Sequence, residues 1–195
     1  MQCGKKILRR CGWVNLRNPL SIRYHDREWS VPCHDDRLLF EMLILECFQA
    51  GLSWECILNK REGFRAAFDG FDPFTVSQYG DRKCGELLQD GRIVRNRLKI
   101  RAAVTNSRVF LAIAEEYGSF DAYIWRFTAD RSVRESCGRN AASPLSEKVA
   151  RDLKKRGMKF TGSTTVYAYL QAIGVICAHE ETCAMYRRWE VPEER

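Results

Sequence analysis

The chain has 195 residues, 45% of them hydrophobic, and its 32 lysines and arginines exceed its 25 acidic residues, which gives a formal net charge of +7. This is enough apolar material for the core of one large domain, but no apolar run approaches the roughly 18 residues of a membrane span. The nine cysteines are odd in number and scattered along the chain. The first ten residues, MQCGKKILRR, contain too short an apolar segment for a secretory signal. We therefore expect a cytoplasmic protein with reduced thiols.

The positive charge is concentrated in two segments. Residues 92–101 carry five cations and no acid, and residues 148–159 carry six cations and one acid. Such segments attract polyanions, with nucleic acid as the first candidate and an anionic membrane surface as the second. The alternative is a basic helix face that only contacts solvent.

The apolar residues recur with helical spacing along nearly the whole chain. Asp35 and Asp36 predict the start of a helix that ends at Gly51, and its apolar residues surround the full circumference, which is typical of a central helix. Ser53 predicts the next helix, to about Lys60. Asp72 with the proline after it predicts a short helix.

The second half of the chain predicts four more helices. One spans Asn96 to Glu116, with an apolar face at Leu98, Ala102, Thr105, Val109 and Ala112. The others lie around residues 121–127 after Ser119, from Ser143 and Pro144 to Gly157, and from Thr164 to Ile176. Residues 128–142 are polar and predict a surface loop. The predicted fold is all-α, compact and two-lobed, without a strand-based binding site.

Cysteine and histidine residues near both ends suggest a metal site. In the segment CAHEETC, His179 and Cys183 are four positions apart, so they would share one face if the segment were helical. Cys11 and His25 supply a second pair, in a segment that we predict to be a loop. The four would form a closed tetrahedral Cys2His2 set suited to structural zinc. Cys177 and His34 are rival ligands, and packing is the alternative role for all of them.

Several ordered motifs resemble those of the DNA-3-methyladenine glycosylase type I (Tag) family of bacterial repair enzymes. They are RCGWV, YHDREWSVP, LFEMLILECFQAGLSW, ILNKREGFRAAFDGFDP, GRIVRNRLKI and LKKRGMKFTGSTTVYAYLQAIG, which together extend from about residue 10 to residue 185. The resemblance implies a helix-hairpin-helix fold and a monomeric, monofunctional enzyme. Its substrate would be alkylated double-stranded DNA, from which it hydrolyses the N-glycosidic bond of 3-methyladenine. It also implies a structural zinc ion held by Cys11, His25, His179 and Cys183.

The resemblance also implies roles in a base pocket. Glu46, in an otherwise apolar part of the predicted central helix, would be the catalytic and base-recognising residue, and Trp54, Tyr24 and Trp29 would contact the base. A buried carboxylate is costly unless a cation or hydrogen-bond donor meets it, so the alternative for Glu46 is an ion pair with arginine. The alternative for the three aromatic residues is core packing.

DNA binding is assigned to the hairpin at Lys159, Phe160, Thr161, Gly162, Ser163 and Thr164, where backbone amides and the next helix N-terminus would face a phosphate. Three features depart from the family or superfamily pattern. The hairpin reads FTGST rather than LPGVG, Cys47 stands where the family prefers glycine, and Arg92 replaces an apolar residue in GRIVRN. Two alternative functions are a bifunctional glycosylase/lyase with Lys159 as nucleophile and a zinc-stabilised DNA-binding module without catalysis.

The predicted domain organisation has one functional unit. Residues 10–186 form the glycosylase domain, with the helix-hairpin-helix element around residues 145–175. Residues 1–9 are predicted to be an N-terminal extension, and residues 187–195 a C-terminal tail.

Overall fold

The computed structural model describes residues 8–135 and 141–186, and regular structure in them is almost entirely helical. The helices are α1 (Pro19–Arg27), α2 (Asp36–Gln49), α3 (Trp54–Ala67), α4 (Pro73–Ser77), α5 (Asp81–Gln89), α6 (Arg97–Tyr117), α7 (Phe120–Trp125), α8 (Pro144–Lys155) and α9 (Ser163–Ala172). Short 3-10 helices span Asp69–Phe71 and Arg126–Thr128. The strands β1 (Val133–Arg134) and β2 (Ile176–Cys177) form a parallel pair. The predicted all-α class is confirmed.

Helix α2 is the centre of the fold, as predicted. Asp35 caps its N-terminus by accepting a hydrogen bond from the Leu38 amide, and every residue from Leu39 to Phe48 is buried. The helix packs against α3, α6, α7 and α9. Since these neighbours cover it on several sides, its apolar residues can occupy the whole circumference. Residues on α2 are therefore held rigidly.

The predicted face of α6 is wrong. Of the five residues assigned to it, only Ala102 is buried, and Leu98 and Ala112 are exposed. The buried positions are Lys99, Ile100, Ala102, Ala103, Val104, Asn106, Ser107, Phe110 and Ile113. This stripe carries the larger apolar side chains, so turning it toward α2, α4, α5 and α7 removes more apolar area from water.

Three segments differ from their predictions. The segment from Cys11 to His25 was predicted to be a loop, but its part from Pro19 onward lies in α1, because Asn18 caps the helix and Pro19 occupies its first turn. Helix α3 continues to Ala67 rather than Lys60. Helix α5 (Asp81–Gln89) was not predicted.

The last predicted helix ends at Ala172 instead of Ile176. The chain turns at Gly174, which has φ 77°, and a Cβ atom there would lie 2.3 Å from the carbonyl carbon of Val31. The close approach and the positive φ both require glycine. The chain then continues as β2, and the stretch 171–178 forms hydrogen bonds with Ser30 and Cys33.

Most buried apolar residues of the described chain form one cluster that extends from Cys11 to Met185. None of the helices in the described ranges has the length and apolarity to cross a membrane. The predicted division into two lobes stays a prediction. Residues 187–195 and all but the last two residues of the segment 1–9 lie outside the described residues.

Candidate active site

A cavity of about 350 Å³ opens between the N-terminal segment and helices α2, α3 and α9. We call it the aromatic cavity. Its lining residues are Trp13, Tyr24, Trp29, Glu46, Gln49, Trp54, Ala141, Thr164, Tyr167, Ala168 and Gln171. The fold thus brings together all four residues that the sequence assigned to a base pocket.

Glu46 is the buried acid of this cavity. Its side chain lies on α2 and the residue is only 3% exposed. The buried Oε2 atom has no hydrogen-bond partner among the described residues. Burial raises the pKa of Glu46 to about 8, because the charged form loses its hydration. An unpaired buried oxygen in a cavity is a ready acceptor for a ligand that donates hydrogen bonds or carries positive charge.

The arginine pairing considered for Glu46 belongs instead to Glu41. Glu41 is equally buried, but Arg61 Nε donates to its Oε1 at 2.6 Å and Arg65 Nε at 2.9 Å. Arg61 also donates to Glu28, so the network joins α2, α3 and the end of α1. The two acids of α2 therefore have opposite environments, and only Glu46 is left to meet a ligand.

The aromatic side chains of the cavity contact one another. The Tyr24 and Trp54 ring centroids are 5.1 Å apart, and those of Trp13 and Trp29 are 4.9 Å apart. The indole Nε1 of Trp54 is buried and donates no hydrogen bond within the described residues. Trp54 and Glu46, which both line the cavity, thus each have one buried polar atom without a hydrogen-bond partner among the described residues.

Sequence reasoning missed several lining residues. Thr164, Tyr167, Ala168 and Gln171 recur at the spacing of one helix face on α9. Gln49 lies one turn after Glu46 on α2. Both sets could have been found by extending the helical periodicity from the assigned residues.

The four predicted metal ligands lie together. The candidate ligand atoms of Cys11, His25, His179 and Cys183 are all within 4.8 Å of one another, and all four residues are buried. We call this group the terminal cluster. Its arrangement does not come from a helix, because residues 178–186 are not helical and a turn brings Cys183 Sγ to 3.7 Å from His179 Nδ1. The rivals Cys177 and His34 are not in the group.

The surroundings of the terminal cluster suit a metal site. The Nδ1 atom of His25 lies 2.8 Å from Asp26 Oδ1, which leaves Nε2 facing Cys183 Sγ at 3.5 Å. Arg10 in turn donates to Asp26 at 2.7 Å. A carboxylate behind a histidine fixes the ring orientation for a metal on the other nitrogen. Two thiols and two imidazoles form a donor set that fits zinc.

The terminal cluster also supports the aromatic cavity. The Trp29 ring stacks on the His25 ring, with 5.9 Å between the ring centroids, and contacts the His179 ring edge-on, with 4.7 Å between the centroids. The cavity-lining Trp13 contacts His25 at 5.5 Å. Two indoles of the aromatic cavity thus pack against the histidine rings of the terminal cluster.

The predicted DNA-binding residues lie in and after the α8–α9 loop, which comprises residues 156–162. Lys159 and Phe160 are exposed, and Gly162 is the N-cap of α9 without a side-chain cap. Thr161, however, is only 1% exposed, so its side chain packs inward and does not form part of the surface. The first amides of α9 therefore receive no hydrogen bond from a capping side chain.

The class that this architecture defines is a helical protein with a base-sized aromatic cavity around one buried acid. A sequence profile described as methyladenine glycosylase matches residues 13–187. The chain belongs to this family.

Known relatives agree in sequence and structure. DNA-3-methyladenine glycosylase 1 of Escherichia coli K12 is 39% identical over 92% of this chain and 97% of its own. A crystal structure of 3-methyladenine DNA glycosylase I has a TM-score of 0.85 at 41% identity, covering 90% of this chain and 98% of that one. The Staphylococcus aureus enzyme, solved to explain 3-methyladenine recognition, has a TM-score of 0.85 at 32% identity, covering 89% and 95%.

Proposed function

We propose that this chain is a DNA glycosylase that hydrolyses the N-glycosidic bond of 3-methyladenine in alkylated double-stranded DNA. The products are the free base and an abasic site. The observation that carries the proposal is the unpaired carboxylate of Glu46, which is buried in a cavity that it shares with Trp54. The named relatives, which match over nearly their full length, support the same activity.

Recognition follows from charge. Methylation at N3 makes adenine in DNA cationic, and a cation near Glu46 favours its ionised form, which burial alone disfavours. Neutral adenine carries no positive charge and therefore does not offset the cost of ionising the buried Glu46. Aromatic stacking adds about 1–3 kcal/mol per base, and this offsets part of the cost of extruding the base from the duplex.

The chemical step then needs little help from an acid. As the bond between the sugar C1′ and the base breaks, its electron pair neutralises the charge of the base ring. Water adds to C1′ and loses a proton. We assign to the Glu46 carboxylate the stabilisation of the positive charge that develops on the sugar.

DNA is held by the α8–α9 loop and the start of α9. The proposed contacts are the exposed Lys159 and Phe160 side chains and the backbone amides of Gly162, Ser163 and Thr164. Helix N-termini favour phosphate through their free amides and their dipole. In this proposal α8, the loop and α9 are the helix-hairpin-helix element of a two-lobed enzyme, which acts as a monomer.

We also propose that the terminal cluster holds one structural zinc ion. Its four protein ligands leave no open position for a catalytic water, so the ion would supply stability only. Cys11 and Cys183 are 172 positions apart in the sequence, and a link between them closes a very long loop of chain.

Chromatography of the bases released from methylated duplex DNA tests the activity. We expect free 3-methyladenine and no adduct on borohydride treatment. DNA binding without base release would indicate a non-catalytic DNA-binding module. A trapped covalent adduct would instead identify the lyase alternative, with Lys159→Ala as the first variant to examine.

A further inference from the structure

Asn106 makes a reciprocal pair of hydrogen bonds with the backbone of the α8–α9 loop. The residue lies in α6 and is 0% exposed. Its Oδ1 atom accepts from the Lys159 amide at 2.7 Å, and its Nδ2 atom donates to the Lys159 carbonyl at 2.9 Å. The side-chain amide thus engages both backbone groups of one residue, as a neighbouring strand would.

The same asparagine reaches the helix that carries Glu46. Its Nδ2 lies 3.6 Å from the sulfur of Cys47, the residue that follows Glu46 on α2. The Cys47 thiol in turn lies 3.7 Å from the Lys159 carbonyl oxygen. Asn106 therefore joins three parts of the fold: α6, α2 behind the aromatic cavity, and the α8–α9 loop.

Apart from these contacts with Asn106 and Cys47, the hydrogen bonds that the described structure contains for residues 158–162 stay within α8, the α8–α9 loop and α9. The Met158 amide bonds to Leu153, the Thr161 hydroxyl bonds to Met158, and the Gly162 carbonyl accepts from Val166. Within residues 158–162, polar attachment to the rest of the molecule thus passes through Lys159, to Asn106 and, more weakly, to Cys47. At the start of the loop, Arg156 also donates to the carboxylate of Glu116 and to the hydroxyl of Tyr117, both on α6.

We propose that Asn106 is a positioning residue that sets the distance between the DNA-holding loop and the aromatic cavity. This inference rests on the proposed function. An extruded base reaches Glu46 only if the neighbouring phosphates are held at the correct distance from it. Misplacement by 1 Å can cost a factor of about 100 in rate. Asn106 fixes that distance with directional bonds made inside the protein, without contacting the substrate.

The test compares Asn106→Ala with Ser107→Ala. Ser107 is a matched control because it is also 0% exposed and adjacent on α6, but its hydroxyl bonds only to the Val104 carbonyl of its own helix. The assays are binding of abasic-site duplex DNA, binding of free 3-methyladenine, and hydrogen exchange of the Lys159 amide.

We expect Asn106→Ala to weaken duplex binding about tenfold or more and to increase Lys159 amide exchange, because the donor loses its buried partner. Affinity for the free base should stay within about twofold, since base binding needs only the cavity. Ser107→Ala should leave duplex binding and Lys159 exchange unchanged. A folded Asn106→Ala protein with faster Lys159 exchange and unchanged duplex affinity would overturn the inference.

A second pair of variants approaches the bond from the exposed side. Lys159→Pro removes the amide that donates to Asn106, and Lys159→Ala removes the same charge but keeps the amide. We expect the proline variant to bind duplex DNA several-fold more weakly than the alanine variant. Equal affinities would contradict the positioning role. The proposed function fails on a different result, the absence of base release by the unmodified protein.

Discussion

Glu41 and Glu46 show how one helix gives two acids different roles. Both are buried in α2, but Glu41 lies where Arg61 and Arg65 reach it, and Glu46 faces the aromatic cavity. A paired buried acid contributes to structure, whereas removing its partner leaves a costly isolated charge. The acid without a partner is therefore the one available for chemistry.

Replacing Glu46 by glutamine should lower excision of 3-methyladenine. Glutamine keeps the shape of the side chain but removes the charge, so we expect kcat/KM to fall about tenfold or more. Affinity for abasic DNA should change little, because the proposed phosphate contacts lie on the α8–α9 loop. Wild-type excision by Glu46→Gln would remove Glu46 from the mechanism.

The pH dependence of excision should report the same group. Because the pKa of Glu46 is raised to about 8, Glu46 is mainly protonated at neutral pH in the free enzyme. In the proposed active form, Glu46 is ionised. We expect kcat/KM of the wild type to rise with pH and to level off above about pH 8, since kcat/KM follows groups of the free enzyme. The glutamine variant should show no such rise. A flat wild-type profile would contradict the assignment.

The stability of the fold should show the opposite trend. Because the folded-state pKa of Glu46 is raised from 4.5 to about 8, the folded protein binds the proton more tightly, and its contribution to stability decreases as pH increases between these values. Glu46→Gln removes this dependence. The unfolding free energy of the variant, relative to that of the wild type, should increase from pH 4.5 to about 8. Above about pH 8 the difference between the two should stay constant, as measured by urea denaturation.

At the level of elements, the junction between α2 and α3 positions the acid relative to the stacking ring. The Lys99 ammonium of α6 is buried and donates to the carbonyl oxygens of Phe48 at 2.8 Å and Ala50 at 2.5 Å, at the end of α2. Burial lowers the pKa of Lys99. A cation at a helix C-terminus satisfies carbonyls that the helix leaves unpaired. The chain then turns at Gly51 toward the Ser53 cap and Trp54.

Lys99→Met should loosen this junction. Methionine keeps most of the apolar stem but leaves two carbonyls without their donor, so we expect a loss of about 1–3 kcal/mol in unfolding free energy. Binding of free 3-methyladenine should weaken as well, because Trp54 follows the junction. Lys154→Met, at an exposed position of α8, is the control and should leave both quantities unchanged. Equal behaviour of the two variants would show that Lys99 has no such role.

At the level of the whole molecule, the terminal cluster joins the two ends of the described chain. Cys11 precedes α1, and His179 and Cys183 follow β2, but their ligand atoms meet within 4.8 Å. The Ser30 hydroxyl makes a second connection by donating to the Ile176 carbonyl and accepting from the Ala178 amide. The segment that carries His179 and Cys183 is thus also held in place by hydrogen bonds that involve no metal.

Cys11→Ser should lose the proposed zinc and lower the thermal stability. We expect one zinc per chain in the wild type by elemental analysis, a lower Tm in the variant, and a similar decrease when a chelator removes the metal from the wild type. Cys56→Ser, which changes a free cysteine outside the terminal cluster, should retain the metal. The proposal would be contradicted if the purified wild type contained no metal and a chelator did not change its Tm.

Local signals in the sequence predicted most helix starts. Asp35, Ser53, Asp72, Ser119 and Ser143 each cap the helix expected after them, because a capping side chain needs only its own next three residues. One failure, the loop predicted where α1 lies, overlooked a local signal, the Asn18 cap. Others involved long-range choices. Which stripe of α6 is buried depends on α2 and α4, and the turn at Gly174 depends on the backbone at Val31.

The sequence by itself determined the helical class, the central position of α2 and the family, because caps, periodicity and motifs are encoded in short stretches of chain. The tertiary structure alone decided which acid of α2 meets an arginine, which side chains of α9 line the aromatic cavity, and that Asn106 bonds to Lys159 across 53 positions. Those outcomes depend on distances between segments that are far apart in the sequence, and packing of the whole core sets such distances.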